Sequence, residues 1–313
     1  MMIPTLLIIA FASFSLMRLV PGDVILAQIS GQAGGAQGGT AIDPETVRRL
    51  RHELGLEGTV VEQFARWLGG VVRGDFGDSY LTQRPTLDEF RARLPVTVEL
   101  GLIALALSTV TGVFVGVTSA LYQDRVPDYV ARVMAILALS VPNFFLGVIV
   151  VIVLSRLFGY SSPTGVNSLF TNPVTNLKQF ALPAFVLAGA SAGIVARLAR
   201  TSLLEVLRQD YIRTAFAKGL RQRHVVVGHA LKNALIPVVT LVGGQLVVIV
   251  GGSVVVEQIF NLRGVGQLTL TSLFQRDYVQ LQTNVFLFSL AIVVANLAVD
   301  VAYGWLDPRI RYD

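Results

Sequence analysis

Asp210-Tyr211-Ile212-Arg213-Thr214-Ala215-Phe216-Ala217-Lys218-Gly219-Leu220, continuing to Asn233-Ala234-Leu235-Ile236-Pro237, is a long polar and basic stretch enclosed between two apolar runs of membrane length. Between Leu203 and Ile236 six basic residues, Arg208, Arg213, Lys218, Arg221, Arg223 and Lys232, stand against two acidic ones, Glu205 and Asp210. The excess of four is most of the chain's net charge of +5. Basic loops between spans are held on the cytoplasmic side. The segment is therefore expected in the cytosol, with the apolar runs beside it in the bilayer.

The order of residues says more than the charge. Ala215 and Gly219 lie four apart on one helical face, which lets another backbone come close, and Gly219 can also end or bend that helix. Leu220 to Val227 then reads as a short amphipathic element on the surface before the chain re-enters the membrane near Pro237. A loop that only fixed topology would need the charges but not this order. Such an element suits docking onto a partner.

The composition agrees with a membrane protein. Of 313 residues 53% are hydrophobic and 14% charged, whereas soluble domains average about 25% charged. The basic residues are spread over loops rather than gathered with aromatics into one patch, so nucleic acid is set aside as a partner. There is no cysteine, which excludes disulfides, thiolate metal sites and thiol catalysis.

Outward from the basic loop, the apolar runs give six spans. Ile3 to Met17 is the first; a signal peptide competes on length, but no basic n-region or small-x-small cleavage site accompanies the run. Leu102 to Tyr122 is the second, carrying a Gly112-x-x-x-Gly116 packing step, and the loop Gln123 to Asp128 follows it. Val133 to Leu154 is the third, interrupted at Ser140-Val141-Pro142-Asn143; a proline there frees a carbonyl that must be satisfied beside protein or a wet cavity. After the outer loop Gly159 to Lys178, the fourth runs from about Phe180 to Val195, with small residues from Gly189 to Gly193 and Arg197 and Arg200 at its cytoplasmic end. Ile236 to Val256 is the fifth and Val285 to about Ala302 the sixth. Six spans put both termini in the cytosol.

Between the first two spans, residues 22–95 turn soluble, with eight basic and ten acidic residues. Gly31 to Thr40 reads as a loop, Pro44 to Leu54 as a helix capped by Asp43 and stopped at Gly55, and Val60 to Val72 as a helix with one apolar face. This region is expected outside the membrane as a helical cap. The expected division is thus 1–21 as first membrane helix, 22–95 as extracytoplasmic cap, and 96–313 as a five-helix core with the cytoplasmic loop at about 203–236.

Here the sequence resembles the permeases of ABC importers, in the branch that carries dipeptides, oligopeptides or nickel. The run from Asp210 to Gln245 is similar to that family's EAA loop, with Gly219 at the motif's glycine and Ala215 at its second alanine, while Arg213 and Thr214 stand at its glutamate and first alanine. Leu19-Val20-Pro21-Gly22-Asp23, Gly74-Asp75-Phe76-Gly77-Asp78-Ser79, Glu257-Gln258-Ile259-Phe260, Gly264-Val265-Gly266, Arg276-Asp277-Tyr278 and the tail Leu306 to Tyr312 resemble it too. Before the glycine pair the family has a proline where this chain has Arg263.

The resemblance implies an all-α polytopic membrane protein of the type I ABC importer permease fold, with a helical insertion after the first of six transmembrane helices. It implies a heterodimer with a second homologous permease, two ATP-binding subunits, an extracytoplasmic substrate-binding protein, and a place in the inner-membrane lipid. Arg213, Thr214, Ala215, Lys218, Gly219, Leu220, Arg221, Arg223 and His224 become the candidates for coupling to the ATPase. Peptides are the favoured cargo; nickel chelates, sugars and haem are cargo of similar systems.

Asn143, Gln245, Asn296 and Asp300 are candidates for lining a pathway, each with an interhelical hydrogen bond or a packing role as the competing reading. No GxxxxGK[ST] loop occurs, so ATP would have to act through a partner. The three histidines, His52, His224 and His229, lie outside the spans, which argues against an intramembrane Ser-His hydrolase. His224 and His229 are five apart, on different faces of an α-helix, and read as solvated loop residues rather than metal ligands. No catalytic residue, metal site or cofactor is expected. The competing function is a stand-alone secondary transporter or channel, but ion-coupled carriers keep ionisable groups near the midplane, and these spans hold almost none, Glu99 and Asp300 both lying toward helix ends.

Overall fold

A computed structural model describes residues 2–19, 58–163 and 165–306. The Leu19 to Asp23 motif beyond its first residue, the loop and capped helix expected between Gly31 and Gly55, His52, and the tail beyond Leu306 lie outside the described residues. So does the side chain of Asp300.

The described residues form helices: α1 Met2–Leu19, α2 Val60–Arg73, α3 Thr86–Leu121, α4 Val126–Ser140, α5 Asn143–Phe158, α6 Pro173–Leu207, α7 Asp210–Ala217, α8 Gln222–Ala234, α9 Ile236–Ile259, α10 Val265–Phe274 and α11 Tyr278–Leu306. Among them no strand occurs, so the all-helical class expected from the sequence is the observed one. Three are long and apolar enough to cross a membrane, namely α3, α6 and Tyr278–Val299 of α11. The pair α4 and α5 passes together across a 100° bend, and α8 with Ile236–Gln245 of α9 across a 47° bend. Helix α9 alone has 24 residues, about 36 Å at 1.5 Å per residue, which exceeds the ~30 Å hydrocarbon layer. The apolar part of α1, Pro4–Ser15, is shorter.

Two of the expected boundaries need correction. The second span was placed from Leu102, but α3 begins at Thr86, where Asp88 and Glu89 occupy the first turn and favour the positive end of the helix dipole. It then continues through Pro95, whose missing N–H costs one backbone bond without ending the helix. The fourth span likewise starts earlier than Phe180, at Pro173, because Asn172 caps it by accepting from the Thr175 N–H at 3.3 Å. The interruption at Pro142 is where the sequence puts it, and there α4 and α5 meet at a 100° corner. Asn143 is the first residue past that corner.

The contacts divide the chain into two units, residues 1–94 with 268–291, and residues 95–267 with 292–313. In the first, an aromatic cluster joins α1, α2 and α11: Phe64 meets Phe11 and Phe14 edge-on at 5.6 and 5.2 Å, and Trp67 meets Phe286 at 5.5 Å. Helix α2 starts with a full capping box, the Thr59 hydroxyl accepting from the Glu62 N–H and Glu62 accepting from the Thr59 N–H. Within the same unit Asp277 is buried and accepts from the Ser79 hydroxyl at 2.6 Å and the Gln280 N–H at 3.2 Å. That contact ties together two of the motifs singled out in the sequence.

In the second unit α6 is the central element and packs on α4, α5 and α9. Leu100, Phe180, Leu187, Ile249, Val256 and Phe260 form its core. Gly116 is one reason that α3 can approach α6 closely, since a Cβ there would collide with the Ala196 carbonyl oxygen and lie 2.8 Å from the Ala199 Cβ. The GxxxG step thus serves packing. A second, separate cluster lies under the basic segment: Leu203, Ile212, Val225, Ala230 and Ala234 are buried together with Ala120.

Candidate functional site

The basic segment folds as two short helices hung on that second cluster. Helix α7 is too short to be stable alone. It is held by Ile212, which is fully buried, and fully burying such a side chain is worth about 1.5–3 kcal/mol. Val225, Ala230 and Ala234 do the same for α8. A side-chain bond adds to the seam, the Asn233 amide donating to the Tyr211 hydroxyl at 2.9 Å.

The turn between the two helices is a Schellman motif. The Leu220 N–H reaches back to the Ala215 carbonyl at 3.4 Å and the Gly219 N–H to the Phe216 carbonyl at 2.9 Å, with Gly219 at φ +78°. That left-handed conformation is the one glycine takes without steric cost. A Cβ on Gly219 would meet nothing within 4 Å. Its constraint is therefore conformational, and the close approach expected from its small size is not made within this chain.

Of the nine candidate coupling residues, Arg213, Thr214, Lys218, Gly219, Leu220, Arg221, Arg223 and His224 are exposed and Ala215 is half-buried. The eight exposed residues make up the outer face, while Ala215 packs against the inward cluster that holds Ile212 and Val225. Arg213 pairs with Asp210 at 3.3 Å, but both are exposed, and such a pair contributes about 0–1 kcal/mol. Apolar side chains share the outer face, with Tyr211, Phe216, Leu220 and Val227 each more than a third exposed. Beside α8 a cleft of about 630 Å³ is lined by Arg125, Arg208 and Arg223. The surface is cationic and partly greasy, the combination that suits a protein partner.

One expectation about this segment was wrong in geometry. His224 and His229 are both exposed, as expected, but their rings lie 6.4 Å apart rather than on different faces. The reason is a π-helical turn over Val226–Ala230 inside α8; its i→i+5 bonding brings residues five apart onto one side. Among the described residues no group of three or more metal-ligating side chains occurs.

The candidate pathway residues are spread over α5, α9 and α11. Asn143 is half-buried at the start of α5 and Asn296 is exposed on α11. Gln245 is buried and accepts from the Ser191 hydroxyl at 2.8 Å, linking α9 to α6.

Sequence reading passed over two buried carboxylates in the second unit. Asp128 accepts from the Ser119 hydroxyl at 2.5 Å, from Arg200 at 2.8 and 2.9 Å, and from the Asp124 N–H at 3.0 Å. Glu257 accepts from the hydroxyls of Thr97 at 2.8 Å and Ser253 at 3.1 Å and from the Gln267 N–H at 3.0 Å. Arg200 was legible only as a topology marker, and Glu257 only as part of a motif. Their partners lie 72 and 160 residues away in sequence.

Comparison with known proteins bears on what this arrangement is for. The chain is 38% identical over 313 residues to a Brucella abortus protein named as a peptide transport system permease, covering 99% of this chain and 96% of the other. It is 36% identical over 311 residues to the glutathione transport system permease protein GsiC of Salmonella typhi, with the same coverage. Among solved structures, the methionine ABC transporter MetNI in inward-facing conformations matches with TM-score 0.58 and 18% identity over 71% of this chain and 97% of the other. An amino acid ABC transporter solved with histidines matches at TM-score 0.53 and 14% identity, over 72% of this chain and 95% of the other. At these identities the two structures speak to the fold alone, and the fold is that of ABC transporter permeases. Residues 112–312 match the family described as binding-protein-dependent transport system inner membrane component, and residues 2–101 match its N-terminal family. The chain belongs to the binding-protein-dependent transport system inner membrane components, as a multi-pass permease.

Proposed function

We propose that this permease is the transmembrane subunit of an ATP-driven importer and that α7, Gly219 and the start of α8 are its coupling element. The observation that carries the reading is the seam-and-face construction of that element: a buried apolar side fixes it to its own chain, and an exposed side carries the arginines, Lys218 and apolar side chains. A partner that pushed on the face would move α3 and α6 through the seam, and α9 through its continuity with α8. Relatives named for peptide and for glutathione transport favour small peptides as cargo.

On this reading two ATP-binding subunits hydrolyse ATP, each engaging one coupling element. A second, related permease completes the pathway, and a substrate-binding protein delivers cargo at the cap of residues 22–95. Both termini lie in the cytosol, with 96–313 forming the core. The pathway candidates Asn143, Gln245, Asn296 and Asp300 would then face or brace the space shared with the second permease.

The test is Gly219→Val. Valine at φ +78° is a steric outlier, so the Schellman turn opens and the outer face is displaced while the buried seam at Ile212 and Val225 is untouched. The expected result is a chain that still inserts and folds but loses co-purification of the ATPase subunits, or loses stimulation of ATP hydrolysis by loaded binding protein, by tenfold or more in reconstituted vesicles. Wild-type stimulation and uptake by Gly219→Val would sink the assignment of this element.

A further inference from the structure

A cleft of about 310 Å³ lies within the second unit between α3, α4 and α6. Its walls are apolar, with Val115, Ala135, Ile136 and Leu139 among them, and its charged lining is Arg132, Arg197 and Arg200. Arg200 is committed to Asp128. The other two are not so engaged. Arg132 lies 3.5 Å from Asp128, which Arg200 already neutralises, and its guanidinium stacks on the Tyr129 ring at 4.5 Å. Its Nε and one terminal nitrogen are buried with no hydrogen-bond acceptor, although the side chain as a whole is 41% exposed. Arg197 is exposed and has no ion pair among the described residues.

We infer that this cleft is a binding site for one anionic phospholipid. Its phosphate would accept from Arg132 and Arg197, and the first part of an acyl chain would lie against Val115, Ala135, Ile136 and Leu139. Three features select that ligand. Three guanidinium groups against the single carboxylate of Asp128 leave an excess of positive charge, which calls for an oxyanion. No carboxylate lines the cleft, so nothing in it repels one. The apolar walls would give a free phosphate ion nothing, whereas an acyl chain fills them. Basic pockets between membrane helices are also the places where lipid headgroups are held.

The experiment is native mass spectrometry of the full-length chain, purified free of lipid in detergent and titrated with phosphatidylglycerol, phosphatidylcholine or inorganic phosphate. The wild type is expected to hold one phosphatidylglycerol through dissociation steps that strip phosphatidylcholine. Each arginine lost should weaken that binding about fivefold, so Arg132→Gln with Arg197→Gln should weaken it by more than tenfold, and the paired lysine variants should restore most of it. If the double variant fails to fold, Arg197→Gln alone answers, because that side chain is exposed. Equal binding of the two lipids, or binding unchanged in the glutamine variants, would overturn the site. Displacement of the lipid by millimolar phosphate would make it a free-anion site. Loss of lipid when a second permease is added would make it a subunit interface.

Discussion

Two buried carboxylates in the second unit are satisfied by different means. Asp128 is held by a guanidinium in forked geometry, whereas Glu257 is held by two hydroxyls and a backbone N–H. The first is a charge cancelled by a charge, between the start of α4 and the C-terminal part of α6. The second is an anchor of neutral donors at the end of α9. There the Thr97 hydroxyl donates to Glu257 and accepts from the Val265 N–H at 2.8 Å. An ion pair fails badly when one member goes, because the other is left uncompensated. A cluster of hydroxyls can reorient around a changed partner. The same residue type should therefore be brittle in one place and tolerant in the other.

The largest expected effect is at the ion pair. Arg200→Ala leaves a fully buried carboxylate with Ser119, the Asp124 N–H and, at 3.5 Å, Arg132, which makes no hydrogen bond to it. It should lower stability by about 3–5 kcal/mol, the usual cost of breaking a buried pair, read by reversible unfolding in mixed micelles. A loss below 1 kcal/mol would mean that Arg132 takes over and that the pair is not brittle.

Next comes the packing around the neutral anchor. A Cβ on Gly266 would lie 2.5 Å from the Val254 Cα and 2.8 Å from a Glu257 carboxylate oxygen, and a backbone atom cannot rotate away. Gly266→Ala should cost about 1–3 kcal/mol as overpacking, in the same unfolding assay. A neutral result would show that the loop from Leu262 to Val265 yields easily.

The smallest effect is expected at the anchor itself. In Glu257→Gln the amide oxygen can still accept from the Gln267 N–H, and the amide nitrogen can donate to hydroxyls that turn to receive it. The loss should be about 0.5–1.5 kcal/mol, the net worth of one hydrogen bond. If it equalled that of Arg200→Ala, the contrast between the two carboxylates would collapse.

What was legible in the sequence followed from local chemistry. Helix α2 could be read from its apolar spacing, and the corner at Pro142 from the proline. The basic segment stood out by its charge, and Gly219 by its place after a helical run. What was not legible depended on distance or on departures from ideal helices. Thr97 meeting Glu257 and Ser79 meeting Asp277 join residues 160 and 198 positions apart, and no local pattern announces them. The start of α3 lies sixteen residues before Leu102, and apolar residues do not announce it because its first turns are charged. His224 and His229 were separated on paper by a 3.6-residue period that the chain does not keep.

That irregular turn in α8 carries one more residue than an α-helical turn would. At about 100° of rotation per residue, everything N-terminal to it is swung by that angle relative to an unbroken helix drawn back from Leu231. Arg223 and His224 thus owe their compass bearing to the single extra residue between them and the span, and not to their own identities. What the face is made of and where it points are set by different stretches of the chain. Either can drift without disturbing the other, as a key can be recut without turning the lock.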